Sequence, residues 1–141
     1  MKRLAVILLL LGMNQAFAGS TKLSDSGESN TAKWKTECGS CHVAYPPQLM
    51  SSDNWQRLMG SLNHHFGANA VLDANDNKKI LGFLERNAGS GDRYSSASMR
   101  ISDTPWFKRE HHVIAPREWT HPDVKSPSNC SACHGRHVLG D

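Results

Sequence analysis

Five residues near the carboxyl end, Cys130-Ser131-Ala132-Cys133-His134, repeat the grammar of five near the start, Cys38-Gly39-Ser40-Cys41-His42, and together they use all 4 cysteines of the chain. No other feature constrains the fold as tightly. Cys-x-x-Cys-His is the attachment signature of c-type haem: the two thiols add across porphyrin vinyl groups and the next histidine meets the iron. Two sulfurs three residues apart on a helical turn reach neighbouring edges of one porphyrin, while the following imidazole swings beneath its plane. A thiol redox pair and half of a four-cysteine zinc site are the rival readings. The histidine after both pairs, and an interval from Cys41 to Cys130 far longer than compact zinc modules use, weigh against zinc. Two covalently attached c-type haems are therefore expected.

The amino-terminal end says where such chemistry would take place. Lys2 and Arg3 precede the apolar run Leu4 to Leu11, and Ala16-Phe17-Ala18 forms a small-x-small cleavage pattern. This is the layout of a secretory signal peptide over residues 1–18, and the apolar run is short for a retained membrane anchor. Export to the periplasm fits c-type haem, which bacteria attach outside the cytoplasm. Cleavage removes two of the 16 basic residues and leaves 14 against 13 acidic ones. No charge excess then calls for nucleic acid or anionic lipid, and no membrane span is expected after cleavage. Lys108, Arg109, Arg117, Lys125 and Arg136 near the second motif read as solvated surface or haem-propionate partners.

A mature chain of about 120 residues makes one domain or two small lobes, each below the size that usually stabilises itself. Buried porphyrin would supply the missing core, at about 25 cal/mol per Å² of apolar surface. The fold class expected is mainly α: two small helical haem-binding lobes packed around covalently attached haems, an N-terminal lobe over 31–95 and a C-terminal lobe over 96–141. Residues 19–30, rich in Ser, Asp, Gly, Glu and Asn, form a flexible leader.

Within the first lobe, Thr31 can cap a short helix running into Cys41, with Trp34 one turn before Cys38. Tyr45-Pro46-Pro47 ends that helix. Asp53 as cap, with Trp55, Leu58, Met59, Leu62 and Phe66 at helical spacing before Gly67, predicts an amphipathic helix. His65 falls beside Leu58 at the margin of its apolar stripe and His64 on the opposite face, which makes His65 the better iron ligand. Asp73 and Asp76 open another helix burying Ile80, Leu81, Phe83 and Leu84. Residues 89–98 read as the linker between the lobes.

In the second lobe Thr104-Pro105 starts a helix leading through Phe107 to the pair His111-His112. His111 lies one turn after Phe107, whereas His112 sits over Lys108 and Arg109 towards solvent. His111 is thus the second distal candidate. His121 precedes a proline in a loop, and His137 lies on the proximal side with His134. Ser128-Asn129 can cap the turn that carries Cys130.

The stretches Trp55-Gln-Arg-Leu-Met59, His65-Phe-Gly-Ala-Asn-Ala-Val-Leu-Asp73, Arg100-Ile-Ser-Asp-Thr-Pro-Trp-Phe107, Arg109-Glu-His111 and Asn129-Cys-Ser-Ala-Cys-His134 resemble the small bacterial dihaem cytochromes c called DHC. The resemblance spans nearly the whole mature chain. It implies two mainly helical lobes, each holding a haem between two histidines, and electron transfer between a membrane b-type cytochrome as donor and a small oxygen-binding haem protein as acceptor. By position it makes His42 and His134 the proximal ligands and His65 and His111 the distal ones. Which distal histidine serves which haem is open at this point.

Ligation decides function. Two imidazoles leave no open position, keep the iron low-spin in both oxidation states and favour electron transfer with little rearrangement, at lower potentials than histidine-methionine ligation. Met50, Met59 and Met99 are the alternative ligands, with Met59 reading as core. The competing class is a small peroxidase-like enzyme or ligand sensor with one five-coordinate iron, in which His65 or His111 would serve as an acid-base group. The chain is short for such an enzyme. An electron carrier, not an enzyme, is the function expected.

Overall fold

The computed structural model describes residues 29–135. The signal peptide, the leader up to residue 28, Arg136 and His137 lie outside the described residues. Five helices run in the order α1 (Asn30–Cys38), α2 (Ser52–Met59), α3 (Ala74–Arg86), α4 (Pro105–Glu110) and α5 (Pro116–Trp119), joined by short 3₁₀ turns. The described residues form no strand and only isolated bridges at Ser51–Gly89 and His65–Ala68. The fold is mainly α, as the sequence suggested.

Local chemistry moves several predicted boundaries. Ser29, not Thr31, caps α1, its side chain accepting from the Ala32 N–H at 3.1 Å. The helix stops at Cys38 because Gly39 turns the chain, and a Cβ at Gly39 would lie 2.2 Å from the Lys35 carbonyl oxygen. Cys41 therefore stands beyond the helix. Ser51, not Asp53, caps α2, while Asp53 lies in the first turn, where its charge suits the helix dipole. The predicted continuation to Phe66 fails: the Gly60 N–H bonds to the Gln56 carbonyl at 2.9 Å and the Ser61 hydroxyl folds back on the Arg57 carbonyl at 2.8 Å. Glycine followed by a back-bonding serine stops a helix by propensity and by competition for its carbonyls. A 3₁₀ turn over Leu62–His64 follows, so His65 falls in a turn and Phe66 is 43% exposed.

The core sits in the first lobe. Asp73 caps α3 by accepting from the Asn75 and Asp76 N–H groups, which fixes the helix phase so that Ile80 and Leu84 point inward. Leu81 and Phe83 pack at the edge of that core instead of inside it. Ile80 and Leu84 are fully buried against Trp34 of α1 and Trp55, Leu58 and Met59 of α2, with Met50 and Leu62 closing the cluster. Residues 89–98, read as a linker, are tied along α2. The Gly89 N–H bonds to the Met50 carbonyl, the Ser51 N–H to the Tyr94 carbonyl, and the buried Asn54 amide to the Ser96 carbonyl at 2.6 Å.

The second half is thinner. From residue 99 to 135 only Thr104 and Phe107 are buried. Thr104 caps α4 as predicted, accepting from the Phe107 N–H at 3.2 Å. Asn129 stands at the cap position of the 3₁₀ turn Cys130–Ala132, but its side-chain amide goes to the Val124 carbonyl, so neither it nor Ser128 caps by side chain.

Candidate haem sites

His42 follows the first thiol pair just past α1. Its Nδ1 lies 2.8 Å from the Val43 carbonyl oxygen, which can only accept, so the proton is on Nδ1 and the Nε2 lone pair is available to a metal. Tyr45 stacks on this ring at 4.7 Å. The His65 ring lies 6.1 Å from His42 between ring centres and is inclined to it by 24°. Burial, then the neighbouring His42 and Arg100, hold His65 below the ordinary histidine range, which keeps the imidazole neutral and its lone pair free. Its Nδ1 is buried with no hydrogen-bond partner among the protein atoms.

The second pair has the same separation on different supports. His111 ends α4 and lies 6.0 Å from His134, with the rings nearly perpendicular at 86°. Its Nδ1 donates to the Phe107 carbonyl at 2.9 Å, again freeing Nε2. Phe107 stacks on it at 4.1 Å, and Trp119 meets it edge-on at 5.8 Å.

These donors suit haem. Imidazole bonds first-row metals at about 2 Å, so two imidazoles on opposite sides of one iron have ring centres about 6 Å apart. Both pairs have that spacing. A cleft of about 580 Å³, the volume range of cofactor pockets, is walled by Cys38, Cys41, His42 and His65 and reaches Cys130. A smaller cleft of about 280 Å³ opens beside His111 and is lined by Phe107 and Trp119 among others. Among the described residues no three Cys, His, Asp or Glu side chains converge as a metal cluster. Thiol redox chemistry fits no better: burial, then Glu37, pushes the Cys38 thiol up to about 11, and burial raises Cys130, whereas reactive thiol pairs are shifted down.

The other described histidines stay outside these pairs. His64 is exposed, His112 is exposed with Nδ1 on the Arg109 carbonyl, and His121 is exposed beside Asp123. Met50, Met59 and Met99 all line the larger cleft, Met50 and Met59 as core. Sequence reasoning missed Tyr45 as a contact between the two halves: its hydroxyl donates to the Ser128 carbonyl at 2.6 Å, two residues before Cys130. It also missed the Phe107–Trp119 bracket around His111, of which only the Phe107–His111 spacing gave a signal.

The model of the dihaem cytochrome c family, DHC, matches residues 34–140. The chain belongs to the dihaem cytochrome c family. The crystal structure of DHC purified from Rhodobacter sphaeroides is 38% identical, with a TM-score of 0.66, over 76% of this chain and 94% of that one. The diheme cytochrome c of Shewanella baltica OS155 is 34% identical, with a TM-score of 0.69, over 80% and 89%. A search of curated protein sequences finds no match. As a dihaem cytochrome c, the chain carries two covalently bound c-type haems and has an electron-transfer role. When bound, each haem supplies a one-electron iron couple whose potential depends on its axial ligands.

Proposed function

We propose that this dihaem cytochrome c is exported to the periplasm and passes single electrons from a membrane b-type cytochrome to a small oxygen-binding haem protein. Cys38 and Cys41 would hold one haem, with His42 and His65 binding its iron. Cys130 and Cys133 would hold the other, with His134 and His111. The observation that carries this reading is the spacing of the two histidine pairs, 6.1 and 6.0 Å between ring centres, which suits two closed, six-coordinate irons. Closed coordination favours electron transfer over substrate chemistry, because neither iron offers a position to a substrate at rest. The chain's own residues then do three things. They hold the His42 and His111 imidazoles by carbonyl hydrogen bonds, exclude water with the apolar wall around Trp34 and Leu58, and fix the two halves together through Tyr45. Among the described residues no helix is long and apolar enough to cross a membrane.

A spectroelectrochemical titration of the periplasmically matured protein tests the reading. Two one-electron steps with both haems low-spin throughout are expected, followed by rapid oxidation when an oxygen-binding haem protein is added. A high-spin band in the protein as isolated would remove the closed-iron carrier. Failure of every such acceptor would remove the partner but leave the carrier.

A further inference from the structure

The two distal histidines are held in opposite ways. His111 closes α4, stacks on the buried Phe107 at 4.1 Å, and is tied by Nδ1 to a carbonyl at 2.9 Å. Its ring cannot leave without breaking all three. His65 is held more loosely: it closes only a three-residue 3₁₀ segment, its ring meets the exposed Phe66 in a tilted contact at 4.9 Å, and its Nδ1 is buried without a partner among the protein atoms. Two of the next residues, Phe66 at φ 50° and Gly67 at φ 99°, occupy the left-handed region. The turn also faces outward. Phe66 is 43% and Val71 62% exposed, and beyond its two chain neighbours nothing lies within 4 Å of where a Gly67 Cβ would be. A ring leaving this position loses no hydrogen bond and gives its orphaned nitrogen access to water.

We propose that the first site is also a ligand site, at which His65 yields its position to a small neutral diatomic of the carbon monoxide and nitric oxide class while His111 stays bound. The inference rests on the bis-histidine reading above. The exchange is balanced: the bond from His65 nitrogen to iron breaks, one from the diatomic to iron forms, and no electron or proton is transferred. The class follows from the wall. Leu58, Leu62, Leu72 and Met99 make the cleft mainly apolar, which disfavours a charged ligand; of its polar residues, the Tyr45 hydroxyl is spent on Ser128, the Arg100 guanidinium is engaged 4.1 Å over the Phe66 ring, and Asn69 and Ser102 carry no charge.

The experiment mixes fully reduced holoprotein with increasing carbon monoxide and follows absorption and proton NMR. One haem per molecule forms the adduct, at a rate that levels off because His65 must first leave. The His65 ring protons lose the upfield shift of a porphyrin-bound imidazole and those of His111 keep it. Uptake at the second haem is slower by about tenfold or more, the factor that one broken hydrogen bond supplies. Two low-spin haems unmoved by carbon monoxide would overturn the proposal and leave the bis-histidine reading standing, as would loss of the His111 signals first. Uptake by both haems in direct proportion to carbon monoxide, with no levelling, would mean that no histidine had to leave, and would overturn both.

Discussion

The same pentapeptide is mounted on two unlike scaffolds. The first copy ends the nine-residue helix α1 and lies against a core in which Ile80 and Leu84 are fully buried. The second begins a single 3₁₀ turn, in a half where, among the described residues, only Thr104 and Phe107 are buried. The distal sides reverse this order of rigidity. His65 stands in a strained turn of the well-packed lobe, whereas His111 is stacked and hydrogen-bonded in the sparse one. Protein packing and ligand anchoring are therefore separable here, because a histidine can be fixed by one aromatic ring and one carbonyl without a large core beneath it.

The largest effect should come from withholding one haem at a time. Cys130→Ser with Cys133→Ser is expected to abolish hydrogen-exchange protection across α4 and α5, since that half buries little of its own. Cys38→Ser with Cys41→Ser should leave partial protection in α2 and α3, whose Ile80 and Leu84 contacts are made by protein alone. Equal loss in the two variants would end the contrast between a packed and a haem-dependent lobe.

His65→Ala and His111→Ala come next. Each should turn one haem high-spin, but the second should also lower the melting temperature further. It deletes a ring stack and a carbonyl hydrogen bond, together about 2 kcal/mol, and that is several degrees for a domain of this size. Thermal melts monitored in the Soret band measure the difference. Equal melting temperatures would mean that the His111 supports carry no energy, and low-spin spectra in both variants would break the pairing itself.

A smaller but sharper signature is magnetic. Imidazole planes inclined by 24° split the two iron orbitals that they face, whereas planes crossed at 86° leave them nearly equal. Oxidised protein should show one ordinary rhombic low-spin EPR signal and one highly anisotropic signal with a single low-field feature. His65→Ala should remove the rhombic one. Two signals of the same shape would show that the ring planes do not differ.

Much of this was legible in residue order, for physical reasons that also mark the limits. The Cys-x-x-Cys-His pairs announce their chemistry because thioether attachment demands that spacing. Thr104-Pro105 and Asp73 announce helix starts because they place an oxygen where free N–H groups need one. The periodicity from Trp55 to Phe66 misled, since Gly60 and Ser61 interrupt the helix while the apolar residues keep its rhythm. His65 thus meets His42 from a turn, not from a helix stripe, and its lack of a carbonyl partner has no sequence signature at all. The long-range link from Tyr45 to Ser128 is invisible for the same reason: it joins residues whose proximity only the folded chain creates.

That link gives the smallest effect, and it separates a structural tie from a merely adjacent ring. Tyr45→Phe keeps the stack on His42 at 4.7 Å and removes the 2.6 Å bond to the Ser128 carbonyl, a loss of about 1 kcal/mol. Hydrogen exchange should rise around residues 126–133 and stay unchanged in α3. The pH dependence carries a second sign. Burial, and then the nearby Cys130, pushes the Tyr45 hydroxyl up to about 12, so in the fold it keeps its proton where the unfolded chain, with a value of about 10, has lost it. The stability this contributes is complete below about pH 10 and is lost as pH rises towards about 12. Wild-type protein should therefore destabilise over that window and Tyr45→Phe should do so less. Thioether formation at Cys130 would remove the smaller cause and leave burial, so a window that vanishes in holoprotein would assign the shift to the thiol and not to the buried tie between the two halves.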